Sequence, residues 1–258
     1  DFAGGTVVHV NAAAAAVVAA SMLGVRKDFA RLAILPQNVP FTLLGTGLLW
    51  LGWFGFNAGS ALAANNIAAL AFTNTMLAPM GTLVAWTLID YCRTRKITAI
   101  GAATGIVVGL VAITPAAGYI SPMSAIALGL LAAFPSYYAL LWRSRTRLDD
   151  SLDVLAAHGV GGVFGALMTG VLADKSWNGT ADGLLYGNPK QLWIQLAACA
   201  AAAAYSGIST FVLIKIIGAV LRLKANDREQ GVGMDVTQHG EEAYARSEGA
   251  ILMPQEGA

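Results

Sequence analysis

Long apolar runs separated by short charged segments dominate the chain almost to its end. Stretches approaching the ~20 residues that a helix needs to cross a roughly 30 Å hydrocarbon layer lie near Thr6–Gly24, Phe41–Gly59, Asn65–Ile89, Ile97–Thr114, Met123–Trp142, Leu152–Leu172 and Leu192–Leu221. They are built of Ala, Leu and Gly with little strand-like alternation. Backbone groups in lipid must find partners within their own segment, so the pattern predicts helices and not a barrel. The expected fold class is an all-α membrane protein, a polytopic bundle of about seven transmembrane helices. After Lys224 the apolar pattern stops, which divides the chain into a membrane domain over residues 1–224 and a polar tail over residues 225–258.

Composition changes this picture little: 56% hydrophobic against 12% charged residues is far from the mixture of a soluble domain. A net charge of +1 says nothing by itself about nucleic acid; the charge follows topology and forms no basic patch, so no nucleic acid is expected as a partner and the lipid bilayer is the surrounding phase. The placement of the charges matters more. Arg26, Lys27 and Arg31 follow the first helix, Arg93, Arg95 and Lys96 the third, Arg143, Arg145 and Arg147 the fifth, and Arg222, Lys224 and Arg228 the seventh, whereas the opposite loops hold only Lys175 and Lys190. The positive-inside rule then puts the tail in the cytoplasm and Asp1 outside. Cys92 and Cys199 fall in or beside predicted helices, so no disulfide framework is expected, and no signal peptide is visible. The chain opens on Asp1, with no initiator Met, directly before a spanning helix; the expectation is a fragment whose preceding helices would complete any shared site.

Histidine is rare inside spanning helices, and a titratable group at that depth points to function by default. His9 follows Asp1 by eight residues and His158 follows Asp150 by the same eight. At 1.5 Å per residue each ring would lie ~12 Å along its helix from an acidic residue near the membrane face. By the charge rule the first of these helices runs inward and the second outward, so the rings approach the midplane from opposite sides, the inverted-repeat geometry of many transporters. The alternative is two unrelated core histidines, each bonded to a neighbouring helix. A metal site is disfavoured, because no carboxylate or thiol lies one or two turns away on the same face. Packed among Ala, Val and Gly, the imidazoles are expected to be neutral, each with one donor and one acceptor, and two facing rings could share a proton.

The run Trp50 to Ser60 closes the second helix with four aromatic residues. Trp50 and Trp53 suit either an interfacial aromatic belt or a mouth. Phe56 and Ser60, four apart, would share a helix face, where an aromatic ring beside a hydroxyl can attract a small cation by ~0.5–2 kcal/mol. Gly101, Gly105 and Gly109, and Gly161 and Gly165, have the spacing that lets helices approach closely. Pro115 and Pro122 bracket a short outer turn, Ala116–Ser121.

The runs Asp1-Phe2-Ala3-Gly4-Gly5-Thr6-Val7-Val8-His9-Val10-Asn11, Gly52-Trp53-Phe54-Gly55-Phe56-Asn57-Ala58-Gly59-Ser60 and His158-Gly159-Val160-Gly161-Gly162 resemble signatures of the ammonium transporter (Amt/Mep/Rh) family, in its Amt branch, and the resemblance extends through Ala112-Ile113-Thr114-Pro115 and the tail. It implies helices five to eleven of an eleven-helix fold made of two inverted five-helix repeats and a final helix, assembled as a homotrimer with one pore per subunit. It also implies transport of ammonium or ammonia without a cofactor: His9 and His158 as twin pore histidines, Phe56 as a gate, Ser60 as an ammonium contact with Trp53 beside it, and Asp1 as a structural carboxylate, with Asp150 and Asn57 as further supports. Ammonium would be recruited outside and lose its proton before crossing.

The polar tail reads as a solvated end. Yet Gly233-Met234-Asp235-Val236-Thr237-Gln238-His239-Gly240-Glu241-Glu242-Ala243-Tyr244 resembles the Amt cytoplasmic tail, which implies a regulatory role for Asp235, His239, Gly240 and Tyr244 and a PII-type protein as partner. Asn178-Gly179-Thr180 fits a glycosylation sequon. Three other functions stay open: an ammonium sensor using the same pocket, against which the short tail argues; an Rh-type ammonia or carbon dioxide channel; and an intramembrane enzyme, disfavoured because no nucleophile or roomy substrate pocket is evident.

Overall fold

The computed structural model of the protein describes residues 1–31 and 36–242. Among these, the regular structure is helical: α1 (Gly5–Leu23), α2 (Val39–Gly59), α3 (Asn66–Thr94), α4 (Ala99–Ile113), α5 (Pro122–Arg143), α6 (Leu155–Leu172), α7 (Lys175–Asn178), α8 (Lys190–Gly218) and α9 (Asp227–Val232). Caps fix several of the starts. The side chains of Asn38, Asn65, Thr98 and Ser121 each accept a backbone N–H from the first turn that follows, and Pro40 and Pro122 sit at helical positions that need no donor.

All seven expected spans form helices, six of them long and apolar enough to cross a membrane. The fourth differs. α4 has only 15 residues, because it stops before Thr114 and Pro115, and Pro115 can supply no N–H to continue the ladder. In the turn that follows, bracketed by Pro115 and Pro122, Ala116, Ala117 and Ile120 are fully buried. Two neighbours account for this. Asn74 Nδ2 donates to the carbonyls of Ala117 and Ile120 at 2.8 and 2.9 Å, and the N-terminal strand of chain lies alongside, with Phe2 N–H donating to Pro115 O and Ala3 N–H to Thr114 O.

The centre of the bundle is α3, α4 and α5, joined through Ala71, Ala78, Val108, Ala112, Leu128 and Ala132. Lipid gives apolar helices no hydrophobic reason to associate, so close packing of small residues does the work. A Cβ at Gly129 would overlap the Ala78 carbonyl, and one at Gly109 would overlap Pro79. The expected packing role of the glycines therefore holds at Gly105 and Gly109 against α3 and at Gly165 against the Ala112 carbonyl of α4.

α2 and α8 flank this core and keep most of their surface exposed. α1 and α6 cross one another. Gly159 lies against Ala13 and Gly162 against His9 and the Gly5 carbonyl, so advancing along α6 means retreating along α1, and the two helices run antiparallel. Both open with a π-helical turn, Gly5–Val10 in α1 and Leu155–Val160 in α6. The even 1.5 Å rise assumed from sequence therefore does not apply between either acid and its histidine. Past α8, Lys224 Nζ donates to the Val25 carbonyl at 2.5 Å and Gln230 Oε1 accepts the Lys27 N–H at 3.0 Å, docking α9 on the segment after α1.

Candidate functional site

Both π-helical turns are capped by the acid eight residues before the histidine. Asp1 accepts from the N–H groups of Gly4 and Thr6 at 3.1 and 3.0 Å. Asp150, only 6% exposed, accepts from Val154 and Leu155 at 3.0 and 2.8 Å. A carboxylate at a helix start neutralises orphan donors and the positive end of the dipole. The two caps are thus counterparts, one in each crossing helix, and each sets the first turn from which an imidazole projects.

The imidazoles meet at the crossing. His9 Nδ1 lies 3.1 Å from His158 Nδ1, with ring centroids 5.1 Å apart. At that distance one nitrogen donates and the other accepts. The indole of Trp53 stacks on His9, with centroids 5.2 Å apart and planes 18° from parallel, and the Phe56 ring stands edge-on to the same imidazole at 6.4 Å. An open groove of about 470 Å³ runs beside the pair, lined by Trp53, Phe56, Leu48, Leu49 and the two rings. Apart from the imidazoles its walls are apolar. A small neutral guest could exchange hydrogen bonds with the rings there, while a bare cation would find no carboxylate to offset its desolvation.

The sequence-derived residues divide into three groups. Trp53 and Phe56 join the histidines at the groove. The interfacial-belt reading of the tryptophans is corrected: Trp53 is 6% exposed and its Nε1–H donates to Thr114 Oγ1 at 2.9 Å, while Trp50 Nε1–H donates to the Thr75 carbonyl at 3.1 Å, so both indoles bond inward. Ser60 follows the last residue of α2 and donates to the Phe56 backbone carbonyl at 2.7 Å. Asn57 points away from the groove; fully buried, it donates to Thr75 Oγ1 at 2.9 Å and pins α2 to α3.

Asp235, His239 and Gly240 lie in a single helical turn of the tail, Asp235–His239, closed by Gly240 at φ +74°, remote in sequence from the groove; Tyr244 lies outside the described residues. The sequon reading is corrected as well. Asn178 Nδ2 donates to the carbonyls of Tyr119, Asp174 and Ala181, and its Oδ1 accepts from Thr180 and Ala181, so the amide is consumed inside its loop. Thr114, which sequence reasoning did not single out, stands behind His9 with Oγ1 3.4 Å from Nε2. Its available signal was a threonine directly preceding a proline at the end of an apolar helix.

The family model for the Ammonium Transporter Family matches residues 1–244. The chain belongs to the ammonium transporter family. An ammonium transporter of Aquifex aeolicus (strain VF5) is 47% identical over 245 residues, which cover 95% of this chain and 57% of that relative. The crystal structure of Saccharomyces cerevisiae Mep2 superposes with a TM-score of 0.81 at 36% identity over 87% of this chain and 53% of that one. A solved structure described as a sensor Amt protein gives a TM-score of 0.83 at 33% identity over 92% and 60%. The chain thus spans roughly half to three fifths of these family members' lengths. It is a multi-pass, all-helical membrane protein of that family.

Proposed function

We propose that the protein carries ammonium or ammonia across the membrane, that the groove beside His9 and His158 is its passage, and that the chain corresponds to helices five to eleven of an eleven-helix fold. The observation that carries the reading is the imidazole pair, bonded Nδ1 to Nδ1 in an apolar groove where two antiparallel helices cross. Ammonium has four N–H donors and a charge that a dry passage cannot solvate. Aromatic faces at Trp53 and Phe56, with Ser60 beyond them, can gather the cation where water still reaches, at ~0.5–2 kcal/mol per cation–π contact. Passing a proton to water there turns the guest into ammonia, which can donate to a bare ring nitrogen as it passes. Nothing in this route needs a nucleophile or a cofactor, so the protein acts as a transporter and not as an enzyme.

In the same reading residues 1–224 form the membrane domain, the tail from residue 225 faces the cytoplasm, Asp1 faces outside, and the protein assembles as a homotrimer whose tail receives a PII-type regulator. Similarity to a solved sensor Amt protein favours a second reading, in which the groove reports ammonium occupancy instead of conducting it.

The deciding measurement is flux and current in liposomes holding the full-length protein under ammonium and pH gradients. Uptake that follows the ammonium gradient is expected, with flux or proton coupling altered by His158→Leu. Absence of ammonium-dependent flux from correctly inserted wild type would sink the transport reading in favour of the sensor. A His158→Leu protein that transports identically would sink the role given to the pair. Truncation after Arg222 is expected to lower uptake or abolish its response to nitrogen status.

A further inference from the structure

We infer that Thr114 is a positioning residue that fixes the tautomers of the histidine pair, so that His9 carries its proton on Nε2, His158 carries its proton on Nδ1, and the one bare ring nitrogen left for a guest is Nε2 of His158. The significance of that nitrogen for transport rests on the function proposed above; the tautomers follow from geometry alone.

A threonine hydroxyl has one proton to give and room to accept two. Thr114 Oγ1 lies 2.7 Å from the Leu110 carbonyl. A carbonyl oxygen only accepts, so the hydroxyl proton is committed to it. The Trp53 indole N–H, which only donates, takes one accepting direction at 2.9 Å. His9 Nε2 faces the other at 3.4 Å. An unprotonated Nε2 there would set two lone pairs against each other in a site where Thr114 is fully buried and no water can intervene. His9 Nε2 therefore donates, its Nδ1 is bare, and His158 Nδ1, 3.1 Å away, must be the donor between the rings.

The result is a one-way chain of donors: His158 to His9, His9 to Thr114, Thr114 to the Leu110 carbonyl. It ends on a backbone oxygen that can pass no proton onward. The pair is consequently asymmetric although its two helices are arranged as counterparts. Any proton or N–H donor arriving from the groove is met at His158 Nε2, and His9, held between Trp53 and Thr114, acts as the acceptor that keeps His158 in the receptive tautomer.

The test is 15N NMR of the full-length protein in lipid with 15N-labelled histidine. The exposed His239 is removed from the spectrum by His239→Asn. Once the rings are assigned through ring-carbon correlations, His9 is expected to carry its proton on Nε2 and His158 on Nδ1. Thr114→Ser should retain the pattern, and Thr114→Val should replace it by a mixture of both tautomer sets. A wild-type His9 protonated on Nδ1 overturns the inference without any variant having to fold. So does a Thr114→Val spectrum identical to wild type in protein that retains its helical content. Because the tautomers are read without transport, a failed flux assay would remove the proposed function and leave this assignment standing.

Discussion

Replacing Asp150 by alanine should cost more stability than any other single change at the helix starts. Its two carboxylate oxygens each hold one backbone N–H, from Val154 and Leu155, at 3.0 and 2.8 Å. An ordinary N-cap is worth ~0.5–2 kcal/mol, and a hydrogen bond to a charged group ~1.5–3 kcal/mol. With Asp150 only 6% exposed, water cannot replace both bonds, so the loss should be about 3 kcal/mol, a factor of ~150 in the folding equilibrium. The assay is reversible unfolding in mixed micelles by SDS titration, the variant beside wild type, with ammonium flux measured on the same preparations. Asp150→Ala should also lower flux, since the turn it caps carries His158. An Asp150→Ala midpoint equal to that of wild type would refute the argument.

Gly165→Ala places a methyl group on the Ala112 carbonyl of α4; forcing α4 and α6 apart should destabilise by ~1–3 kcal/mol, visible in the same titration, and an unchanged midpoint would show that the helices have slack. Asn178 should stay unmodified when the protein is made in a glycosylating host, so that glycosidase treatment produces no gel shift. Asn178→Asp, which turns an acceptor toward the three carbonyls that Nδ2 now serves, should lower the thermal midpoint clearly. The last prediction concerns acid. Asp149 takes Arg26 Nε and Nη2 at 2.9 and 2.6 Å, and the hydrogen bonds from that guanidinium hold its carboxyl below the usual carboxylate range. A lowered folded-state value stabilises above the ordinary carboxylate pKa of ~4 and is lost as pH falls through the folded value. Protease resistance of the loop following Leu23 should therefore stay level from neutral pH to about 5 and drop in stronger acid. Asp149→Asn should be more readily cut at neutral pH and indifferent to acid; a wild-type loop equally resistant in strong acid would refute the pair's contribution.

The spans and the histidine pair were legible because both are periodic facts: apolar length sets the spans, and the repeated eight-residue interval from Asp1 to His9 and from Asp150 to His158 marks the pair. Burial set by neighbours was not. Ala116–Ser121 has the proline-bracketed look of a surface turn, and only Asn74, more than forty residues earlier, explains why it is inside. Trp50 and Trp53 sit near a helix end as belt residues do, and their inward hydrogen bonds depend on Thr75 and Thr114 from other helices. Thr114 stands out along the chain only as a threonine directly before a proline, which says nothing of its partners. Its importance comes from three partners on three separate helices, a kind of information that spacing does not carry.

The π-helical turns have one more consequence. In such a turn each carbonyl bonds five residues onward and not four, so the chain holds a surplus residue at each imidazole. Deleting one residue from Gly5–Val10 or from Leu155–Val160 would restore ordinary winding and leave the helix on either side in nearly the same phase, because the wide turn absorbs the surplus. The extra position therefore acts locally, on how the imidazole inside the turn leaves the helix axis.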